Sequence, residues 1–215
     1  MKSIIREPIN SISHLVGCIL SIFGFGYIMN VSVSSGNLVK IIASVIFCLG
    51  LMGLYAASTI YHWSTLPKKA LTTLRKIDHI MIYFLIAATY TPICLIPLKG
   101  KVGYTLLTII WVLSITGMVI KVFWLNAPRL LYTSFYVLLG WAVIFAIRPL
   151  IHNWVIPGVS LIALGGVSYT VGAIIYALKP KFLQLWKFGH HEIFHIFILI
   201  GSILHYVAIY KYIIK

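Results

Sequence analysis

Residues 39–61 read VKIIASVIFCLGLMGLYAASTIY, an almost uninterrupted apolar run that ends just before His62. An α-helix needs about 20 apolar residues to cross the hydrocarbon core of a bilayer, and this run has that length. Six further runs have a similar character. The chain therefore divides into candidate spans at about 9–31, 39–61, 79–98, 102–124, 130–147, 154–178 and 191–210. This pattern predicts an all-α integral membrane protein, a bundle of seven transmembrane helices.

The composition of the 215-residue chain agrees with a membrane protein, since 61% of its residues are hydrophobic and 9% are charged. A soluble globular domain averages about 45–50% apolar and about 25% charged residues. The runs are continuous and do not alternate apolar with polar residues, which excludes a β-barrel. The first run lacks a small-x-small cleavage site, so we expect a first helix and not a cleaved signal peptide. The gaps between runs are short, so residues 1–215 are predicted to form a single domain.

The basic residues are informative about orientation. The chain has 17 Lys and Arg residues against three acids, a net charge of +14. They occupy the gaps between apolar runs and not one face, so we expect no nucleic-acid partner. With alternating spans, eleven lie on the side of the N-terminus and six on the other side. Cytoplasmic loops carry the excess of Lys and Arg, which predicts a cytoplasmic N-terminus, an outside C-terminus and a multi-pass protein of the cell membrane.

Five polar residues lie at the cytoplasmic ends of the second, third and seventh spans: Ser58, His62, Asp78, His191 and His195. Ionisable groups at membrane depth are costly and usually mark a functional site. Residues four apart on a helix share a face, so Ser58 and His62 point the same way, as do His191 and His195. We therefore expect these side chains to converge at one depth.

Three neutral imidazoles leave one position of a four-coordinate ion open, which is typical of a catalytic zinc site. We predict that His62, His191 and His195 bind Zn²⁺, while noting that imidazole ligands also suit iron, copper and nickel. Zinc in such a site activates a water molecule for hydrolysis. Asp78 is expected to act as general base on that water, and Ser58 to hydrogen-bond the water or a developing oxyanion. The implied chemistry is hydrolysis of a polar bond in a membrane lipid.

Three more polar residues form a stripe at the start of the first span, because Glu7, Asn10 and His14 are spaced three and four residues apart. We expect them to support the metal ligands or to line the entrance of a cavity. Capping and interfacial solvation are the alternative interpretation, especially for Glu7.

His205 lies ten residues beyond His195, about 15 Å further along a helix and too far for the same ion. It is expected either to line an interior cavity or to be a hydrogen-bonded core histidine. Its spacing from His191 also occurs in membrane cytochromes. A haem would need two histidines on a facing helix, and the second span offers only His62.

The motifs, taken in order, resemble the hemolysin III family, the bacterial branch of the progestin and adipoQ receptor (PAQR) superfamily. The matching elements are Glu7-Pro-Ile-Asn10-Ser-Ile-Ser-His14, Ser58-x-x-x-His62, Asp78-His79, Ala88-Thr-Tyr-Thr-Pro92 and His191-x-x-x-His195. The resemblance implies seven helices with a cytoplasmic N-terminus. It also implies zinc ligands at His62, His191 and His195, and a zinc-bound water held by Ser58 and Asp78.

The family resemblance also implies a range of functions. Some animal members resemble ceramide-cleaving amidohydrolases, whereas the bacterial members take their name from a haemolytic phenotype and resemble factors of membrane lipid homeostasis. We therefore expect a zinc-dependent hydrolase of a lipid amide or related bond, with a membrane lipid as its partner. The alternatives are a pore-forming protein that causes cytolysis and a lipid-sensing receptor in which zinc is structural. No oligomeric state is predicted.

Overall fold

The computed structural model describes residues 5–180 and 189–215. Within these residues every regular element is helical. The α-helices are α1 (Pro8–Ser34), α2 (Leu38–Trp63), α3 (Lys68–Leu95), α4 (Lys101–Phe123), α5 (Arg129–Trp141), α6 (Ile147–Asn153), α7 (Ile156–Leu178) and α8 (His190–Ile209). A 3₁₀-helix at Ala142–Ala146 joins α5 to α6, and a π-helical turn at Tyr210–Ile214 extends α8.

Seven segments of the described chain are long and apolar enough to cross a membrane. They are α1, α2, α3, α4, the combined segment Arg129–Asn153, α7 and the combined segment His190–Ile214. Large apolar side chains cover the outside of the bundle, with Phe23, Phe123 and Phe145 exposed by 64%, 86% and 89%. Such a surface is unfavourable in water and suits contact with lipid. The prediction of an all-α bundle of seven membrane-spanning helices is confirmed.

Helix α3 begins at Lys68, well before the apolar run that starts near residue 79. Its first turns contain basic residues and threonines, which lower the hydropathy without preventing helix formation. The Thr72 hydroxyl, for example, donates to the Lys68 carbonyl oxygen at 2.9 Å. Because these turns are helical, Arg75, Asp78 and His79 lie three and four residues apart on one face of a helix.

The helices pack as antiparallel neighbours in chain order, α1 on α2, α2 on α3 and α3 on α4, while α8 packs on both α7 and α1. The return of α8 to α1 closes the bundle. Backbone hydrogen bonds from the Arg6 and Glu7 amides to the Trp63 and His62 carbonyl oxygens place the start of α1 beside the end of α2. We call this end of the bundle the N-terminal face. It is where α3, α5 and α8 begin and where α4 and α7 end.

The fifth span is interrupted, a feature that the apolar pattern did not reveal. A 3₁₀ segment at Ala142–Ala146 comes just before Pro149 of α6, which cannot donate a backbone hydrogen bond and whose ring crowds the preceding turn. Tyr90 of α3 compensates for this interruption. Its hydroxyl accepts from the Val143 amide at 2.8 Å and lies 3.0 and 2.8 Å from the carbonyl oxygens of Leu139 and Gly140.

Candidate metal centre

Three histidines meet at the N-terminal face of the bundle. His62 lies in the last turn of α2, and His191 and His195 lie one turn apart at the start of α8. One ring nitrogen of each lies within 4.8 Å of the other two. The ring centroids are 4.9 Å apart for His62 and His191, 4.9 Å for His62 and His195, and 4.7 Å for His191 and His195. Two helices thus bring together three imidazoles that could hold a metal ion.

Hydrogen bonds fix which nitrogen of two of these rings is free. Nδ1 of His62 lies 2.6 Å from Oε2 of Glu7, and Nδ1 of His195 lies 3.3 Å from the Asn10 carbonyl oxygen. These oxygens accept hydrogen bonds, so each Nδ1 carries a proton, and in the neutral ring the lone pair is then on Nε2. Nε2 of His62 is buried and has no partner among the described residues. Metal-binding histidines usually donate their other N–H to a carboxylate or carbonyl in this manner, so the residues fit a metal ion.

Glu7 supplies the negative charge closest to His62. The hydrogen bond from His62, together with attraction to His62 and Arg6, lowers the pKa of the Glu7 carboxyl to about 2. Nε of Arg6 lies 3.2 Å from Oε1 of the same carboxylate. Glu7 is therefore ionised at neutral pH, and it orients the His62 ring through a charge-assisted hydrogen bond.

Asn10 connects α1 to α8. Its side-chain amide donates to Glu7 at 3.1 Å and to Glu192 at 3.3 Å, while its backbone carbonyl accepts from His195. The hydroxyl of Ser13, one turn later, lies 3.4 Å from the same ring nitrogen of His195. Both Glu7 and Asn10 therefore contact the histidine cluster.

Glu192 had no assigned role in the sequence, although a signal was present. The segment His191-Glu192-Ile193-Phe194-His195 has the H-E-x-x-H spacing of zinc-binding helices. In the structure its carboxylate lies against Gly189, in the first turn of α8, and not among the three imidazoles. A carboxylate at that position stabilises the N-terminus of a helix, so Glu192 contributes to the position of α8.

His14 is more closely associated with the cluster than its sequence position indicated. Its ring stacks on His195 with centroids 3.6 Å apart and planes inclined by 15°, and its other side meets Tyr55 edge-on at 5.1 Å. The residue is buried, and neither ring nitrogen has a partner among the described residues. His14 therefore forms one wall of the site beside His195.

Ser58 and Asp78 lie next to the cluster. Both line a cavity of about 480 Å³ that also reaches His191 and His195. The Ser58 hydroxyl interacts with the Asp78 carboxylate, which also attracts His62 and Arg75. Ser58 is buried, one turn before His62 on α2. The structure thus gathers the five sequence-predicted polar residues around one end of the cavity.

His205 lies at the deep end of the same cavity. Its Nε2 lies 3.0 Å from the Ile162 carbonyl oxygen, and its ring meets Tyr169 edge-on at 5.2 Å. The two expectations for His205, a cavity wall and a hydrogen-bonded core histidine, therefore both apply to it. It is not part of the three-histidine cluster.

The fold and this site together define a class: a multi-pass helical membrane protein with a histidine cluster that could bind a metal, open to an internal cavity. The family model described as "Haemolysin-III related" matches residues 2–206. The chain belongs to this family, which confirms the resemblance seen in its motifs.

Comparison with individual relatives agrees with the family. The chain is 39% identical to "Hemolysin-3 homolog" of Bacillus subtilis (strain 168), over all of this chain and 98% of that protein. It is 36% identical to "Hemolysin-3" of Bacillus cereus, over all of this chain and 95% of that protein. A more distant relative is "Monocyte to macrophage differentiation factor" of Homo sapiens, 25% identical over 81% of this chain and 71% of that protein. The seven spans and the bacterial relatives identify a multi-pass protein of the bacterial cell membrane.

Proposed function

We propose that this protein is a zinc-dependent hydrolase that cleaves an amide or related bond of a membrane lipid and thereby acts in lipid homeostasis. The observation that carries the proposal is the cluster of His62, His191 and His195 at one end of a cavity of about 480 Å³. In two of the three rings, those of His62 and His195, the Nδ1–H donates a hydrogen bond to an oxygen of α1 or of the residue before it, as expected of histidines that bind metal through Nε2.

Each polar residue has a proposed role. His62, His191 and His195 would hold Zn²⁺, which when bound supplies a Lewis acid for a carbonyl and acidifies a water. Asp78 accepts the proton of the attacking water and returns it to the leaving group. The Ser58 hydroxyl, next to Asp78, holds that water or the developing oxyanion by a hydrogen bond. Glu7 and Asn10 orient the rings of His62 and His195.

The cavity supports a lipid substrate because apolar side chains form much of its wall, beside polar ones such as Thr89, Thr170 and His205. The apolar wall includes Ile82, Leu85 and Ile86 of α3, Val137 of α5 and Ile198 of α8. A volume of about 480 Å³ lies within the 300–1,000 Å³ that is common for small-molecule pockets. An acyl chain in this space would keep bulk water away from the histidines.

We also propose that the chain forms one domain over residues 1–215 with the N-terminal face in the cytoplasm. The alternation of spans in the sequence assigns eleven of the 17 Lys and Arg residues to that side, and such an excess is typical of cytoplasmic loops. Hydrolysis would then take place near the inner leaflet, with access for the lipid from the membrane.

The test combines metal content with turnover. Wild-type protein, purified in detergent, is expected to carry about one zinc per chain, and His62→Ala is expected to lose it. Asp78→Asn should keep the zinc and release free fatty acid from a bacterial lipid extract about 10²–10⁴-fold more slowly, because only the general base is changed. Folded wild-type protein without stoichiometric zinc would refute the proposal.

A second candidate is a lipid sensor in which zinc is structural. It is favoured by the way the site ties helices together, since His62 binds Glu7 at the start of α1 and His195 binds Asn10 of α1. In that case a chelator lowers the melting temperature strongly, and no free fatty acid is formed by the wild type. Release of a dye from vesicles that persists in His62→Ala would instead favour the pore-forming alternative.

A further inference from the structure

The distribution of charge around the cavity is unbalanced. The chain contains three acids in total, Glu7, Asp78 and Glu192, against 17 Lys and Arg residues. Glu7 is engaged by His62 and Arg6, and Glu192 is engaged by Asn10. Asp78 interacts with Ser58 beside the histidines. Of these acids, Asp78 and Glu192 line the cavity, together with the cations Arg75, Arg129 and Lys179.

Two arginines nevertheless line the cavity at the N-terminal face. Arg75 lies on α3, one turn before Asp78, and Arg129 is the first residue of α5. Both are half-buried. Across residues 5–180 and 189–215, neither forms an ion pair with a carboxylate, and the remaining residues of the chain contain no acid. Neither arginine therefore has a carboxylate in direct contact, although Asp78, one turn along α3, attracts Arg75.

The two arginines line the same cavity as His191 and His195. Arg129 lies over the Tyr176 ring, with Cζ 4.8 Å from the centroid, and its Nη1 donates to the Tyr176 carbonyl oxygen at 3.3 Å. The Tyr176 ring in turn meets the His191 ring edge-on, with centroids 5.3 Å apart. An anion held between the arginines would therefore lie close to the histidine cluster.

A buried lysine adds to this positive region. Lys121 is only 1% exposed, and its Nζ lies 3.5 Å from the centroid of Tyr132, a residue of the cavity wall. Its hydrogen bond is a long one, 3.4 Å to the Leu125 carbonyl oxygen, and it is repelled by Arg75. Burying a cation without a nearby anion is unfavourable, so binding of an external anion would stabilise the buried charge of Lys121.

The orientation of membrane proteins does not account for these positions. Basic residues that set topology can stay exposed in loops and helix ends, as Lys68 and Lys69 do at the start of α3. Arg75, Arg129 and Lys121 instead lie in or behind the wall of one cavity. Their placement indicates a binding function.

We propose that the mouth of the cavity binds the phosphate of an anionic lipid headgroup, with Arg75 and Arg129 as its direct hydrogen-bond donors and Lys121 behind Tyr132. Guanidinium groups match phosphate oxygens with paired hydrogen bonds, and the apolar part of the cavity accommodates the acyl chain. The inference rests on the proposed function in one respect: it assumes that the phosphate-bearing lipid bound here is the substrate of the hydrolase. Binding itself does not require the metal.

The experiment measures affinity separately from turnover. Full-length protein in neutral detergent is titrated with dioctanoyl phosphatidic acid, with dioctanoylglycerol, which has the same tails but no phosphate, and with inorganic phosphate. We expect the phosphatidic acid to bind at least about tenfold more tightly than either of the others, about 1.4 kcal/mol. Binding should persist in His62→Ala, so that loss of zinc and loss of the lipid site are distinguishable.

Variants test the assigned residues. Arg75→Gln and Arg129→Gln should each weaken binding of phosphatidic acid about tenfold or more, whereas the matched variants Lys68→Gln and Lys69→Gln, exposed at the same face, should bind as the wild type does. Arg75→Lys and Arg129→Lys keep the positive charge and should bind phosphatidic acid with intermediate affinity. They replace the glutamine variants in the test if a glutamine variant does not fold. Equal affinity for dioctanoylglycerol, or equal losses in the two pairs of glutamine variants, overturns the proposal. If inorganic phosphate binds as tightly as phosphatidic acid, the site recognises free phosphate and not a lipid headgroup, and the lipid assignment is overturned.

Discussion

Two histidines of the same helix line the same cavity and have different surroundings. His195, at the N-terminal face, has His62 and His191 as neighbours and directs its Nδ1–H to the Asn10 carbonyl oxygen. His205, at the deep end, is not a member of the three-histidine cluster, and its Nε2 lies 3.0 Å from the Ile162 carbonyl oxygen. Both are buried. Burial therefore does not distinguish the two histidines, whereas their neighbours do, since His195 belongs to a cluster that could hold a metal ion.

Packing reinforces the difference between the two ends. The ring of His205 occupies the space that a side chain at position 165 would need, so Gly165 lets α7 and α8 approach closely. The ring of His195 instead stacks on His14, whose nitrogens have no partner in the described part of the chain. The deep end resembles a packed core, and the N-terminal end keeps polar atoms available.

The largest effect expected is the loss of zinc in His195→Ala. It removes one of three proposed ligands, so the affinity for zinc should fall by more than the 10–100-fold that is common when only an outer partner is lost. His205→Ala is the matched variant and should keep the affinity of the wild type. Competition with a chromogenic chelator, together with elemental analysis, measures both. Similar zinc content in the two variants would erase the distinction between the two ends.

Glu7→Gln is expected to lower the affinity for zinc by about 10–100-fold, because it removes the charged acceptor of the His62 Nδ1–H and leaves the ligand set intact. Glu192→Gln is the control, since Glu192 accepts a hydrogen bond from Asn10 and not from a histidine. The same chelator competition applies. If Glu192→Gln lowered the affinity for zinc more than Glu7→Gln does, the position of the first turn of α8, and not the orientation of the His62 ring, would determine that affinity.

At the deep end the expected effect is on stability. A Cβ at Gly165 would overlap the His205 ring and lie 3.1 Å from the Gly201 carbonyl oxygen, so Gly165→Ala should cost about 2 kcal/mol through overpacking. Gly26→Ala is the control, since nothing lies within 4 Å of its Cβ position. Unfolding in detergent measures the difference, and zinc per folded chain should not change. If Gly165→Ala leaves the free energy of unfolding unchanged, α7 and α8 can move apart at little cost.

The smallest effect expected is that of Tyr90→Phe. It removes the hydroxyl that serves the interrupted fifth span, and a buried backbone group without a partner costs about 1 kcal/mol or somewhat more. Tyr27→Phe, at a residue 68% exposed, should leave the melting temperature unchanged. A drop in zinc content with Tyr90→Phe would contradict the purely structural role of this region.

The sequence allowed much of the candidate site to be predicted. The i, i+4 spacing placed His191 and His195 on one face, and the apolar runs placed His62 at the same end of the bundle. The stripe of Glu7, Asn10 and His14 was also predicted to lie near the ligands. These predictions follow from helix geometry and from the alternation of spans across the membrane, and both can be derived from the order of residues in the sequence.

Other features depended on contacts between distant segments. Hydropathy could not reveal the 3₁₀ segment at Ala142–Ala146, since its residues are as apolar as the helix around them. Likewise, a basic residue such as Lys121 looks like a topology signal in the sequence, and only the packing of Tyr132 against it shows its burial. The presence of Arg129 and Arg75 in the wall of one cavity depends on the way α5 meets α3.

By itself, the sequence determined that this chain spans a membrane seven times, because about 20 apolar residues in helical form are what a bilayer requires. It also determined which histidines share a helix face. The tertiary structure decided which nitrogens of His62 and His195 remain free, which of the histidines face one another, and where the unpaired arginines lie. These depend on the packing of α1 and α3 against α8 and α5, and packing of side chains between helices is not encoded in the hydropathy of any single segment.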